Sequence, residues 1–592
     1  MNILGVSAFY HDSAAALVKD GVLIAAAEEE RFSRIKHDFG YPELAIEFCL
    51  QQGGLRIEDL DYVVYYEKPF IKFERILTTA LQTFPRSYVV FRESMVSWLA
   101  EKLWVKNLFS DRMNVPLDKV ISIDHHAAHA GSAFYPSPFD EAAILTVDGV
   151  GEWATAAFGV GKGEKISLTK EIRFPHSLGL LYSAFTAYLG FEVNEGEYKV
   201  MGMAPYGEPK YTDKVWKLIQ LGDDGSFRLN MDYFSFHYST KNTYNQRFVD
   251  LFGPPRAPSM HFFTPASGYP SYFGEKPANY EEVARMNQHY ADVAASIQRV
   301  TEDVLVHMAK SLQRETKQKN LCMAGGVALN SVANSRILRE TGFEQLYVQP
   351  AAGDGGGAVG AALYAAHHRL GQKRCFVMDH AFWGKSYSEG ETVDWLRSQN
   401  IPYEVLSDTD RVLDRTVEAI VGGQVVGWHQ GRFEWGPRAL GCRSILADAR
   451  RADMKDIVNT KIKFREPYRP FAPSVLADAA ETYFDLPGAC KQMAARFMLL
   501  VVPVKKEHHA TLPAITHVDG SGRLQTVFKD TNPLYYSLIE RFGKATGVPV
   551  VLNTSFNLKG EPIVTTPANA HWTFTKSDMD LLVIGNVLVR KR

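Results

Sequence analysis

Short apolar runs and small polar turns recur in the same order at two places in the chain. In NILGVSAFYHDSAAALVKDGVLIAAAEEE an apolar run enters a polar turn, returns through AAALV to a Lys19-Asp20-Gly21 turn and begins a third run. AAILTVDGVGEWATAAFGVGKGEKISLTKE repeats that order: its first run ends at Asp148-Gly149, its return is ATAAFGV and its outer turn is Gly161-Lys162-Gly163. Each copy predicts a β-hairpin whose first turn is small enough for backbone to approach a ligand. Two pseudo-equivalent lobes around a nucleotide cleft would leave this kind of doubling.

Helical periodicity follows. Apolar residues keep three- and four-residue spacing from about Glu282 to Lys317, which predicts a long helix. NLCMAGGVALNSVANSRI then reads as strand, glycine turn and helix, and QLYVQPAAGDGGGAVGAALYAA repeats the device. The pattern lapses at HHRLGQKRCFVMDHAFWGKSYSEGE. The expected division is therefore a domain over residues 1–365, a linker over 366–385 and a second α/β domain over 386–592.

Composition narrows the class. A chain of 592 residues exceeds what one hydrophobic core serves, so at least two domains are expected. With 46% hydrophobic and 22% charged residues it is far from disordered or fibrous chains. Its 65 basic and 67 acidic side chains give a net charge of -2 without a basic stripe, which argues against nucleic acid as a partner. Cys49, Cys322, Cys375, Cys442 and Cys490 are scattered, as buried thiols in a reducing compartment would be. No secretion signal and no membrane-length apolar span is legible, so a cytoplasmic protein without a membrane partner is expected.

The chemistry begins at DHHAAHA. On a helix, His125 and His129 project from one face and His126 does not. Asp148, closing the following strand, and Asp354, inside a glycine loop, would add two hard oxygens. Such a set suits a divalent ion, iron(II), manganese or zinc. HxxxH alone reads more readily as a plain helix face; the glycine-flanked aspartates shift the balance toward metal. Gly325, Gly326 and Asn330 open a helix with exposed backbone N–H groups where a nucleotide can lie. Glu195, Glu197 and Lys199 read by themselves as a solvated loop. The second domain is rich in fixed cations, Arg432, Arg438, Arg443, Lys463, Arg465, Arg469 and Arg523, with Asn553, Ser555 and Asn557 beyond an apolar strand. They fit a dianionic small ligand, against the plainer reading of surface ion pairs.

Taken in order, YHDSAAAL, EEERFSRIKHD, DHHAAHA, TVDGVGEWAT, YKVMGMAPYG, AGGVALN, GDGGGAVGAAL, GRFEWGPRALGCRSIL, FREPYRPFAPSVL and VLNTSFN resemble the O-carbamoyltransferases of the NodU/CmcH type, nearly end to end. The resemblance implies an actin-like (ASKHA superfamily) ATP-binding domain with duplicated lobes, followed by a smaller YrdC-like α/β domain. It implies ATP with Mg2+ and carbamoyl phosphate as substrates, converted to carbamoyl-AMP in the second domain, and transfer to a hydroxyl of a small-molecule natural product in the first. By the same resemblance His125, His129, Asp148 and Asp354 hold the metal, iron(II) first, and Gly325, Gly326, Asn330 and Lys199 line the nucleotide cleft. Arg438, Lys463, Arg469, Arg523, Asn553 and Ser555 match the carbamoyl phosphate and ATP pocket. His11 is the expected base and Lys36 the expected ligand of a carbamoyl or phosphate oxygen.

Two other readings stay open at this level: a threonylcarbamoyl-type tRNA-modifying enzyme, and an ATP-binding assembly module without transfer activity. The acceptor is not legible. The aromatic-rich segment from about Phe234 to Tyr280 suits either its pocket or an oligomer contact, so a homodimer is also left open.

Overall fold

The computed structural model describes residues 1–270, 273–463, 466 and 468–591. Ser271 and Tyr272 of the aromatic-rich segment, and Arg465 among the expected cations, lie outside the described residues. The chain divides into two compact units. Met1–Ala26, Phe39–Ser267 and Ala278–Met378 form the first; Ala27–Asp38, Gly268–Pro277 and Asp379–Arg592 form the second.

The doubling is physical. In the first unit, β1 (Asn2–Ser7), β2 (Ala14–Lys19), β3 (Val22–Glu28), β4 (Tyr62–Tyr65) and β5 (Val120–Ser122) are ordered β3-β2-β1-β4-β5, although β3 ends beyond the unit's first segment. A second sheet of β6 (Glu141–Val147), β7 (Ala154–Lys162), β8 (Lys165–Arg173), β11 (Asn320–Ala324) and β12 (Gln345–Val348) is ordered β12-β11-β6-β7-β8, the same arrangement read from the other edge. In each, the founding strand pairs antiparallel with the next strand (Gly5 opposite Ala16, Ile144 opposite Gly159) and parallel with the later one (Gly5 opposite Val64, Ile144 opposite Cys322). This is the duplicated-lobe actin-like topology expected. A hairpin of β9 (Ile219–Leu221) and β10 (Phe227–Leu229) is set apart from both sheets. The long helix runs from Tyr280 to Thr316, its apolar stripe on the inner side.

The central strands are buried on both faces, which explains why EAAILTV and NLCMA read as unbroken apolar runs instead of alternations. Two short helices, His125–Phe134 and Gly356–Tyr364, lie at the heart of this unit and are almost wholly buried. Both are rich in Ala and Gly. A methyl group at Gly360 would fall 1.9 Å from the Ala128 carbonyl oxygen, and one at Gly5 would fall 1.9 Å from that of Ala358. Only hydrogen fits at either place.

The second unit is α/β as expected, built on one sheet of nine strands: β13 (Glu404–Val405), β14 (Val426–His429), β15 (Arg443–Asp448), β16 (Ala472–Leu476), β17 (Leu500–Pro503), β18 (Ser521–Val527), β19 (Val550–Ser555), β20 (Leu581–Ile584) and β21 (Val587–Arg590). Their order is β13-β21-β20-β14-β15-β19-β16-β18-β17, mixed in direction. Leu413, Val417 and Ile420 of one helix and Leu538, Ile539 and Phe542 of another cover it, against Trp428, Val551 and Val583.

The segment Ala27–Asp38 belongs to this second unit through hydrogen bonds, not sheet pairing. Arg31, 1% exposed, donates to the Gly436 carbonyl at 2.5 Å, and Gly436 N–H donates to Glu28 at 2.7 Å. Arg34 donates to the carbonyls of Pro562 and Ile563, and Thr565 donates to that of Arg31. The EEERFSRIKHD motif is thus a built-in part of this unit's wall.

Gly360→Ala and Gly5→Ala are expected to destabilise the protein. Alanine recovers about 1 kcal/mol of helix propensity at Gly360, but forcing a methyl group against backbone costs about 1–3 kcal/mol or more. Thermal unfolding of the two variants would show a lowered midpoint; an unchanged midpoint would mean that the two helices, for Gly360, or β1 and the second helix, for Gly5, are not so closely apposed.

Candidate active site and metal centre

The Ala/Gly helices set the centre. His125 and His129 stand one turn apart on the inner face of the His125–Phe134 helix, and Asp148 follows the last residue of β6. Asp354 precedes the Gly356–Tyr364 helix that crosses them. One ligand atom from each of these side chains lies within 4.8 Å of all the others. The two Nε2 atoms are 3.0 Å apart; His125 Nε2 is 3.2 Å from Asp148 and 3.6 Å from Asp354, and His129 Nε2 is 3.4 Å from Asp354 and 3.9 Å from Asp148. Ligands bound at about 2.1 Å to one ion are roughly 3.0–3.4 Å apart in octahedral or tetrahedral geometry, so the set fits a divalent cation with little movement. Asp354 Oδ1 is buried with no hydrogen-bond partner, the signature of an oxygen reserved for something else. The Nδ1 atoms of both histidines also lack a protein partner.

His126 has the other role the spacing assigns it. Its Nδ1 accepts from Thr146 at 2.7 Å and its Nε2 donates to the Ala154 carbonyl at 2.9 Å, so it ties the helix to the sheet. Burial, with His125 and His129 nearby, pushes its pKa down to about 3 and keeps it neutral.

Electrostatics favour charge in the centre itself. Burial opposes a charged His125, yet Asp354 and the hydrogen bond to Asp148 lift it to about 9. Burial likewise opposes the carboxylates; the hydrogen bond from His125 and the nearby His129 outweigh it at Asp148, and His11 and His125 outweigh it at Asp354, so both are held low.

His11 reaches the same centre from the loop after β1. Its Nε2 is 3.6 Å from Asp354 and its Nδ1 is 2.9 Å from Asp12. Against the cost of burial, Asp354 and Asp12 raise it to about 10. With the carboxylates uncompensated His11 is an imidazolium at neutral pH, so a base role requires positive charge to offset Asp354.

Several residues around the centre have roles that were not legible in the sequence. Tyr66 packs its ring 5.3 Å from that of His125, with its hydroxyl 3.5 Å from Asp354. Glu152, in GEWAT, accepts from the backbone N–H groups of His125 at 3.0 Å and Lys68 at 2.7 Å, so it caps the ligand helix that Asp124 leaves without a side-chain cap. A lone acidic residue in a small-residue turn offers no signal of that role.

The glycine turn is wired to the centre. Gly326 N–H donates to Asp148 Oδ1 at 2.8 Å, and Gly325 has φ +93° with no room for a side chain beside the Val147 carbonyl. Asn330 caps the Ser331–Glu340 helix and exchanges hydrogen bonds with Gln298. Lys199 sits on the Glu197–Met203 helix, whose Met201 sulfur is 3.9 Å from Ser331. Lys36 lies in the Ala27–Asp38 segment of the second unit, whereas His11 belongs to the first.

Within the second unit, Lys463 is 4% exposed and donates to the Ser555 carbonyl at 2.5 Å and to Asn557 Oδ1 at 2.8 Å. Ser555 donates to the same Asn557 oxygen at 2.7 Å. Asn553 is buried and donates to Ser474 and Gln525, leaving its Oδ1 unpartnered. Arg469 pairs with Glu466 at 3.7 Å, and Arg523 lies on β18. Arg438 stands in a loop whose backbone is gathered by buried Glu434, which accepts from the N–H groups of Leu440, Cys442 and Arg443. Arg432 and Arg443, also among the expected cations, are engaged by backbone carbonyls. Arg443, fully buried, donates to the carbonyls of Gln430, Gly431, Cys442 and Thr565, and Arg432 to those of Trp383 and Gly384.

Fold and centre together define an α/β protein of actin-like topology with a buried cluster of two imidazoles and two carboxylates that could hold a metal ion. Residues 2–363 match the family model described as Carbamoyltransferase N-terminus and residues 417–591 match Carbamoyltransferase C-terminus, so the chain belongs to the carbamoyltransferase family. Protein sll1178 of Synechocystis is 45% identical over 100% of this chain and 97% of its own length. Nodulation protein NolNO of Sinorhizobium fredii is 38% identical over 99% of this chain and 79% of its own. Among solved structures, HypF of T. kodakarensis is similar over 63% of this chain and 48% of its own, at 16% identity and a TM-score of 0.31. Among the described residues no helix is long and apolar enough to cross a membrane.

The metal-free protein should respond to pH in a definite sense. The His125 value near 9 lies above the ordinary 6.5, so its contribution to stability is complete below pH 6.5 and is lost as pH rises through about 9. Metal binding must displace that proton, so affinity should rise over the same window. Calorimetric titration with Fe2+, Mn2+ and Zn2+ from pH 6.5 to 9 is expected to show this rise. Asp354→Asn should weaken binding by more than about 100-fold; undiminished affinity would exclude Asp354 as a ligand.

Proposed function

We propose that the chain is an ATP-dependent O-carbamoyltransferase acting on a hydroxyl of a small molecule. The observation that carries this reading is the convergence of His125, His129, Asp148 and Asp354 beside His11, in a chain that matches both carbamoyltransferase models.

In the carboxy-terminal half, water hydrolyses carbamoyl phosphate to carbamate and phosphate, and a carbamate oxygen attacks the α-phosphorus of ATP, forming carbamoyl-AMP and displacing pyrophosphate. Arg438, Lys463, Arg469 and Arg523 are the cations assigned to these anionic substrates, with Asn553 and Ser555 as polar contacts. In the amino-terminal half the acceptor hydroxyl displaces AMP from the carbamoyl carbon and loses a proton. Gly325, Gly326, Asn330 and Lys199 are assigned to the nucleotide. His125, His129, Asp148 and Asp354 would hold a divalent ion, which supplies Lewis-acid neutralisation of phosphate charge. His11 takes the hydroxyl proton once Asp354 is offset. Iron(II), ATP with Mg2+ and a natural-product acceptor complete the reading; Lys36 is retained only as a contact to a carbamoyl or phosphate oxygen.

Pyrophosphate release from ATP is expected to depend on carbamoyl phosphate. His11→Asn is expected to slow transfer by about 10²–10⁴-fold while adenylate formation continues. Release of pyrophosphate without carbamoyl phosphate would defeat the reading, as would equal loss of both half-reactions for the role of His11. Labelled carbamoyl phosphate supplied with bulk tRNA should leave the tRNA unlabelled.

A further inference from the structure

Four arginines among the described residues are buried: Arg31, Arg75, Arg256 and Arg443. Three of them donate to backbone carbonyls, Arg31 to Gly436, Arg256 to Leu189 and Met260, and Arg443 to several in its loop. Arg75 is the exception. It is 7% exposed, its Nε is enclosed without a partner, and no oxygen among the described residues accepts from its guanidinium. Its close neighbour is the face of Phe174, 4.9 Å from the guanidinium carbon. Tyr10, Glu67 and Glu152 act on its charge through space, but a buried cation without a hydrogen-bonded partner still costs several kcal/mol, so packing alone does not account for it.

Its surroundings say what it faces. Arg75 is on the Pro69–Gln82 helix, one turn after Lys72 and two after Lys68. Those two lysines are matched: Lys68 with Asp124 at 2.9 Å, and Lys72 with Glu67 at 2.5 Å. Glu152 is already engaged by two backbone N–H groups. Lys72 also lies 4.6 Å from the centre of the Tyr10 ring, and Tyr10 is 4.7 Å from the ring of His11. Charge on Arg75 is felt by Tyr10, and that of Glu67 and Glu152 by Arg75. The free guanidinium therefore belongs to the wall that approaches the ion centre by way of His11 and Asp354, whereas the glycine turn approaches by way of Asp148.

We propose that Arg75 is a specificity residue that receives an anionic group, a carboxylate or phosphate monoester, carried by the hydroxyl-bearing acceptor. The acceptor is on this account an acid, not a neutral or cationic molecule. The inference rests on the reading of His11 and the adjoining centre as the site of carbamoyl transfer. A planar guanidinium with its donors unengaged suits such a group bidentately, and a neutral analogue would leave the cation buried and unmatched.

The test presents paired hydroxyl compounds to the full-length, metal-loaded protein: methyl glucuronide against methyl glucoside, and glycerol 3-phosphate against glycerol. Binding is measured by calorimetry and carbamoylation by mass spectrometry. The anionic member of at least one pair is expected to bind and react at least about 100-fold better than its neutral counterpart. Arg75→Met should abolish that preference, Arg75→Lys should keep part of it, and AMP affinity should not change. Thermal unfolding of Arg75→Met should be no easier than that of the wild type, since an unmatched buried charge is removed; a lowered midpoint would make Arg75 a structural residue and overturn the proposal. Preference for neutral members, no response to any anionic member, an anion preference surviving in Arg75→Met, or weakened AMP binding in that variant would overturn it as well. Carbamoyl phosphate-dependent pyrophosphate release by the wild type, measured beside these, separates failure of this inference from failure of the transfer reading.

Discussion

Two helices that meet without side-chain bulk between them govern the amino-terminal unit. Because His125–Phe134 and Gly356–Tyr364 meet through glycine and alanine, their backbones approach to a distance that ordinary side chains forbid. The histidines of one and the aspartate leading into the other are thereby brought within a few ångströms of each other without long side chains having to reach. The same closeness places Gly5 of the founding strand against Ala358, so sheet, helix and centre share one tightly defined geometry. Small residues here are the means by which the ligands are aimed.

That packing encloses a charged group of residues in the interior. The charged forms of His125, Asp148 and Asp354 are each disfavoured by burial and stabilised by the opposite charges beside them, His11 included. Such an arrangement is sensitive to anything that changes its net charge, and His11 sits where it registers the change. Glu152 illustrates the support this requires: a buried carboxylate bound to the first N–H of the ligand helix holds the helix start in place without itself offering an atom to the centre.

Much of the fold could be read because it repeats. The paired hairpins, the strand, glycine turn and helix units, and the long helix near Tyr280–Thr316 all have local patterns that physics reads locally. That His125, His129, Asp148 and Asp354 converge was legible because helix spacing couples His125 to His129 and glycine flanks both aspartates. What escaped was long-range. Arg432 and Arg443 look like anion ligands in sequence, since a sequence shows the cation and not the carbonyls that surround it. Arg75 looks like one more charge on an amphipathic helix, and only its burial without a hydrogen bond distinguishes it. That Ala27–Asp38 joins the later unit could not be inferred from periodicity, because its attachment runs through side-chain bonds to distant carbonyls.

The position of that segment bears on how the protein is made. Arg31 and Gly436 are separated by 405 residues, so a translating ribosome releases the guanidinium long before its acceptor exists. The carboxy-terminal unit cannot finish folding from its own contiguous stretch, and the nascent chain must hold an early strip of sequence in reserve for it. Severing the gene between the two halves would accordingly deprive the later polypeptide of a wall, unless the earlier one were present to donate it.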